Sequence, residues 1–165
     1  MNDLQPLFLD LLEINHGRWR VIARSYAGID SEDLFQEIVL QIWKSLPSFQ
    51  GNAAVSTWCY RVALNTAMTW KRATKTRRNR LPIAGDVATA PATCAVEQTD
   101  LNATVHHLIQ SLSQPDRAVL LLALDDVSYA DMAAILGASE GALRVRVHRI
   151  KLRLAELARE VDHGI

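Results

Sequence analysis

Ser139, Glu140, Arg144, Val145, His148 and Arg149 lie within eleven positions near the C-terminus. Their stretch, SEGALRVRVHRIKLRL, holds five basic residues (Arg144, Arg146, Arg149, Lys151, Arg153) in a chain of 165 residues whose formal net charge is zero. This is the chemistry of recognition. Arginine can make a bidentate contact to a base edge, and a valine exposed among arginines can touch a thymine methyl. The alternative is a solvated, charged helix in a plain bundle.

A second group, Asp33, Gln36, Glu37, Leu40 and Trp43, mixes acidic and polar groups with an exposed tryptophan, the makings of a protein–protein hot spot. A lone tryptophan is nevertheless more often a partly buried core residue. A third group begins with Trp58 and Tyr60 and continues through Arg61, Asn65 and Thr69 at helical spacing to Lys71 and Arg72. Aromatics beside a loop, a polar stripe and a basic end suit a surface that stacks unpaired bases and holds phosphates. An aromatic pair is also a common core feature.

Catalytic and metal chemistry find less support. His106–His107 and Asp125–Asp126 are the clusters nearest to a ligand set. Adjacent residues on a helix point in different directions, so neither pair closes on one ion unaided. No HExxH spacing accompanies them. Cys59 and Cys94 form no CxxC pattern; Cys59 falls in an apolar helical pattern and Cys94 in a linker. Neither catalytic residue, metal nor cofactor is expected.

The elements that must position these groups are helices. Read as a strand, the C-terminal stretch loses its alternation at His148–Arg149. Read as a helix, Leu143, Val147, Ile150, Leu154 and Leu157 fall within about 80° of arc. Just upstream, YADMAAILGAS reads as a short helix ended by Gly137, which suits a left-handed turn, with small Ala133 allowing a close helix crossing. Ser139 can cap the following helix. Helix, glycine turn and basic helix make a helix-turn-helix, whose second helix enters the major groove. SQPD at 113–116 is a helix start, with Ser113 as cap, Pro115 in the first turn and Asp116 at the third position.

In the N-terminal half, segment 5–27 reads as helix with an interruption expected near Gly17. Ser31 can cap a second helix that ends at Pro47, with Leu34, Ile38, Ile42 and Leu46 as its core stripe. The loop QGNAAVS leads to a third helix, TWCYRVALNTAMTWKR. LPIAGDVATAPATCA is too poor in large apolar residues to fold alone and reads as a flexible linker. The expectation is an all-α protein with two small domains, 1–80 and 101–165, joined by a linker over 81–100.

Charge is segregated along the chain. Residues 71–80 hold six basic residues and no acid, and residues 141–165 hold six basic and three acidic. Residues 81–140 hold one basic residue and eight acids. Two basic islands in a neutral chain point to two local contacts with a polyanion. No apolar run approaches the ~20 residues that span a bilayer, so no stable membrane insertion is expected. The opening MNDLQPLFLDLLEINHG has acidic residues and lacks both a basic leader and a small-residue cleavage site. Cytoplasm is the expected location.

DSEDLFQEIVLQIWKSLPSF, followed by a short loop and STWCYRVALNTAMTWKR, resembles region two of bacterial sigma-70 family factors. LSQPDRAVLLLALDDVSYADMAAILGASEGALRVRVHRIKLRL resembles region four. Passage from one to the other through only a short linker is similar to the extracytoplasmic-function (ECF) subfamily. The resemblance implies a factor that binds core RNA polymerase, recognises promoter minus-ten and minus-thirty-five elements and helps melt the DNA. It implies that Asp33, Gln36, Glu37, Leu40 and Trp43 dock on the clamp helices of the largest polymerase subunit, with a further contact to the flap region.

By the same resemblance, the loop from Gly51 through Asn52 to Ser56 captures a flipped base of the minus-ten element. Trp58, Tyr60, Arg61, Asn65, Lys71 and Arg72 serve that element too, and Ser139, Glu140, Arg144, Val145, His148 and Arg149 serve the minus-thirty-five element. The acidic linker region would thread toward the RNA exit path, and an anti-sigma factor would control the whole. Housekeeping members carry two adjacent tryptophans where this chain has Trp58–Cys59, and GNAAVS lacks the charged residues common in that loop. The competing reading is a stand-alone helix-turn-helix regulator that binds operator DNA as a dimer. The DLFQE helix, which such a regulator would not need, speaks against it.

Overall fold

The computed structural model describes residues 4–80 and 109–162, with side chains through residue 73 in the first stretch and residue 159 in the second. The described residues are helical throughout their regular structure, without a strand. They divide into two compact units, parted near residues 97 and 98. The linker expected over 81–100 lies outside the described residues, as do Cys94, His106 and His107.

The first unit is a three-helix bundle of α1 (Leu4–Ala27), α2 (Ser31–Ser45) and α3 (Val55–Arg80). On α2 the expected stripe is the core: Leu34, Ile38 and Ile42 are fully buried and Leu46 nearly so. Burying each such side chain contributes about 1.5–3 kcal/mol. From α1 come Leu11, Trp19, Ile22 and Tyr26, and from α3 Cys59, Ala63, Leu64 and Ala67. The two alanines, one turn apart, let α3 approach its neighbours closely. Burial pushes the Cys59 thiol up to about 11, which marks it as an inert packing group.

Two local expectations are corrected. Gly17 does not interrupt α1, which runs unbroken through it. A glycine costs a helix about 1 kcal/mol relative to alanine, far less than the burial of Trp19 and Ile22 just beyond returns. Ser31 does not cap α2. A 3-10 turn, Gly28–Asp30, runs directly into the helix, Asp30 occupies the cap position, and no side-chain cap bond forms. Glu32 is instead drawn across to Arg20 of α1, whose guanidinium donates to it at 2.8 Å and lies 4.4 Å above the Phe35 ring.

In the second unit, α4 (Gln114–Leu124), α5 (Tyr129–Leu136) and α6 (Glu140–Asp162) pack around Val119, Leu122, Met132, Leu143, Val147 and Ile150. Ser113 caps α4 as expected: it accepts from the Asp116 amide at 3.3 Å and donates to the Asp116 carboxylate at 2.7 Å. Ser128 repeats the device with Asp131 at the start of α5. Arg117 is buried, and its guanidinium donates to the carbonyls of Ile109, Gln110 and Leu112. It therefore gathers the carbonyls at the C-terminal end of the helical turn at 109–111, where Ile109 also accepts from the Leu112 amide at 3.3 Å.

Candidate nucleic-acid and polymerase interfaces

Gly137 ends α5 in the left-handed conformation at φ 66°, and its amide donates to the Ala133 carbonyl at 2.9 Å. Two residues later Ser139 accepts from the Ala142 amide at 3.3 Å and starts α6. That turn directs the face of α6 opposite Leu143, Val147 and Ile150 to solvent. Arg144, Val145, His148 and Arg149 are exposed on or beside it, and Glu140 is exposed nearer the core stripe at the helix start.

Within the basic cluster the arginines differ. Arg144 lies 4.4 Å above the Tyr129 ring and reaches Glu140 at 3.5 Å. Its fork is thus held between the start of α5 and its own helix, a loose orientation with no burial. Arg146 points the other way and donates to Asp116 at 2.6 Å, tying α6 to the first turn of α4. Burial works against the Asp116 carboxylate, but hydrogen bonds from Ser113 and Arg146 and the positive charges of Arg146 and Arg149 outweigh it and lower its pKa. Tyr129 did not stand out in the sequence; its place directly after the capping Ser128, inside a Ser-x-x-Asp pattern, was the available signal.

On α2, Asp33 and Gln36 are exposed, Leu40 and Trp43 are 41% and 40% exposed, and Glu37 is half-buried, with Gln41 donating to it at 2.7 Å. Trp43 is neither free nor core: Phe8 of α1 meets it edge-on, with centroids 4.9 Å apart. The ring is braced from behind and open in front. Phe8 is a part of this surface that sequence reasoning missed.

The loop before α3 and the start of that helix enclose an open pocket of about 150 Å³, lined by Ser48, Phe49, Gln50, Asn52, Ala53, Trp58 and Arg61. Phe49 and Trp58 sit 5.2 Å apart at a tilt of 47°, and Asn52 donates to Gln50 at 3.2 Å. Gly51 takes φ 72°, which lets the loop turn between those two amides. The structure thus joins Asn52, Trp58 and Arg61, and adds Phe49 and Gln50. Gly51 and Ser56 do not line the pocket.

Tyr60 is a correction. At 7% exposure its ring is part of the bundle core, about 100° round α3 from exposed Arg61, so it is not available to stack on a base. Arg61, Asn65, Thr69 and Arg72 share one exposed face, while half-buried Lys71 falls about 100° round the helix from Arg72. Cys59 also faces the core, which leaves Trp58 as the tryptophan at this edge. The helix itself continues to Arg80, through the basic island, further than the sequence pattern implied.

Comparison with known proteins matches residues 11–77 to the family model Sigma-70 region 2 and residues 103–154 to Sigma-70, region 4. The RNA polymerase sigma-H factor of Pseudomonas aeruginosa is 30% identical over 138 residues, covering 74% of this chain and 69% of the relative. The ECF RNA polymerase sigma-E factor of Escherichia coli K12 is 28% identical over 166 residues, covering 90% and 84%. Among solved structures, the sigma factor RpoE in complex with the anti-sigma factor NepR, from Bartonella quintana, matches at TM-score 0.69 and 26% identity, covering 92% of this chain and 96% of that one. CnrH in complex with the cytosolic domain of CnrY shares the fold at TM-score 0.65 and 22% identity, covering 98% and 91%.

Proposed function

The chain belongs to the sigma-70 family of RNA polymerase sigma factors, in its ECF branch, and on that premise we propose how its surfaces divide the work of transcription initiation. The observation that carries the reading is the presence, in one chain, of the braced Trp43 face on α2 and the exposed basic face on α6. A regulator that binds DNA alone needs only the second. Asp33, Gln36, Glu37, Leu40 and Trp43 dock on the clamp helices of the largest polymerase subunit, and the second unit lies at the flap.

The pocket walled on one side by the Phe49–Trp58 pair receives a base flipped out of the minus-ten element. An extruded base loses stacking worth a few kcal/mol, which contact with that aromatic wall can replace. Arg61, Asn65 and Arg72 follow the strand away from the pocket, with phosphate contacts fixing register. α6 reads the minus-thirty-five element. Two weak sites on one chain gain combined avidity that depends on the reach of the segment between them. The protein is a binding factor, not an enzyme, needs no cofactor, works in the cytoplasm and is restrained by an anti-sigma factor, like the relative solved with NepR.

The double substitution Asp33→Ala with Gln36→Ala tests the polymerase surface. Both side chains are exposed, so the fold should survive and core-polymerase affinity should fall about tenfold or more, measured by titration of labelled protein with core enzyme. Unchanged affinity with an unchanged circular dichroism spectrum would remove this face from the interface.

A further inference from the structure

Gly141 stands in the first turn of α6, and a Cβ built on it would meet nothing within 4 Å. Its φ is not positive, so the backbone does not require glycine either. Glycine weakens a helix relative to alanine. Neither conformation nor internal packing explains why this position is bare.

The position on the helix does. At about 100° per residue, Gly141, Val145 and His148 form one ridge within about 60° of arc, facing away from Leu143, Val147 and Ile150. Glu140 and Arg144 flank it on one side and Arg149 on the other. Val145 is 57% exposed in the middle of this ridge. A helix with its side chains is about 10–12 Å across, close to the ~12 Å width of the major groove, and a recognition helix enters that groove by its N-terminal residues. Valine carries only two methyls beyond Cβ, so it reaches a base edge only where the backbone of the preceding turn comes close. Bare backbone is what permits such an approach.

We infer that Gly141 sets the depth at which α6 seats in the major groove, and that this depth puts Val145 against the C5-methyl of a thymine in the upstream promoter element. The inference rests on α6 being the groove-reading helix. A methyl at position 141 lifts the first turn, takes Val145 off the thymine and lengthens the reach of Arg144.

The test uses the full chain assembled with core RNA polymerase. The probe is a promoter fragment selected by the wild-type holoenzyme from a pool with randomised upstream elements. Free Gly141→Ala protein should melt at the wild-type temperature or about 2–5 °C above it. Its holoenzyme should bind the selected fragment about tenfold more weakly, yet match wild type on a fragment with a scrambled upstream element. Replacing thymines by uracil one at a time should weaken wild-type binding at one position, and that penalty should vanish in Gly141→Ala.

Wild-type affinity in Gly141→Ala would overturn the inference, and so would a lower melting temperature, which would make the glycine a folding requirement. Arg144→Ala separates the two levels. If it weakens binding to the selected fragment while Gly141→Ala does not, the depth role fails and the groove-reading helix stands. If neither substitution matters, both fail together.

Discussion

At the scale of residues, α6 sorts its arginines by neighbour. Arg144 is held over Tyr129 and beside Glu140 but remains exposed, whereas Arg146 is committed to Asp116. The first can exchange its contacts for a base edge; the second is an anchor that keeps α6 aligned on α4. Asp116→Asn should therefore lower the stability of the second unit by about 1 kcal/mol at pH 7, the scale of a part-exposed charged hydrogen bond. Folding lowers the Asp116 pKa, so this stabilisation is present above the ordinary 3.8 and is lost as pH falls from there through the folded value. The difference between wild type and variant should then close in acid. All four tryptophans (Trp19, Trp43, Trp58 and Trp70) lie in the first unit. Urea unfolding followed by circular dichroism should show the change, while tryptophan fluorescence should not. Spacing alone told which residues of α6 are exposed and which are buried, because helical geometry fixes which residues share a side. It could not separate Arg144 from Arg146, because their partners come from other helices, nor see that Tyr60 turns into the core.

At the scale of elements, the caps were legible where side chain and backbone cooperate within four residues. Ser113 with Asp116 and Ser139 at α6 formed as written, because the interacting groups are local. The start of α2 was misread because its end is set by tertiary contacts, with Glu32 pulled to Arg20. Likewise Gly17 looked like a break, yet the packing on either side of it carries α1 through. Gly17 has nothing within 4 Å of a built Cβ and an ordinary helical backbone. Gly17→Ala should thus stabilise the first unit by about 0.5–1 kcal/mol, read by tryptophan fluorescence in urea. A loss of stability would mean that a side chain at position 17 meets a neighbour on this face of α1. Its neighbours Ile14 and Val21 are 70% and 51% exposed, so no crowding is expected.

At the scale of the whole molecule, the order of surfaces carries the function. An acidic and aromatic face, an aromatic-lined loop pocket and a polar helix face lie in one unit, and a helix with an exposed basic face lies in the other. The sequence pattern disclosed that order, since both blocks are long amphipathic helices with specific polar residues between the core positions. The pocket was only half legible. Asn52, Trp58 and Arg61 could be nominated by type, but Phe49 and Gln50 join them through the fold of a loop that has no periodicity to read. The most direct measurement is transcription in vitro on genomic DNA with core RNA polymerase, with and without this protein, reading start sites. The account predicts start sites that appear only when the protein is added, share paired elements about ten and thirty-five bases upstream, and disappear with the Asp33→Ala, Gln36→Ala variant. Tight, specific DNA binding without polymerase, together with no new start sites and no affinity for core enzyme, would contradict it.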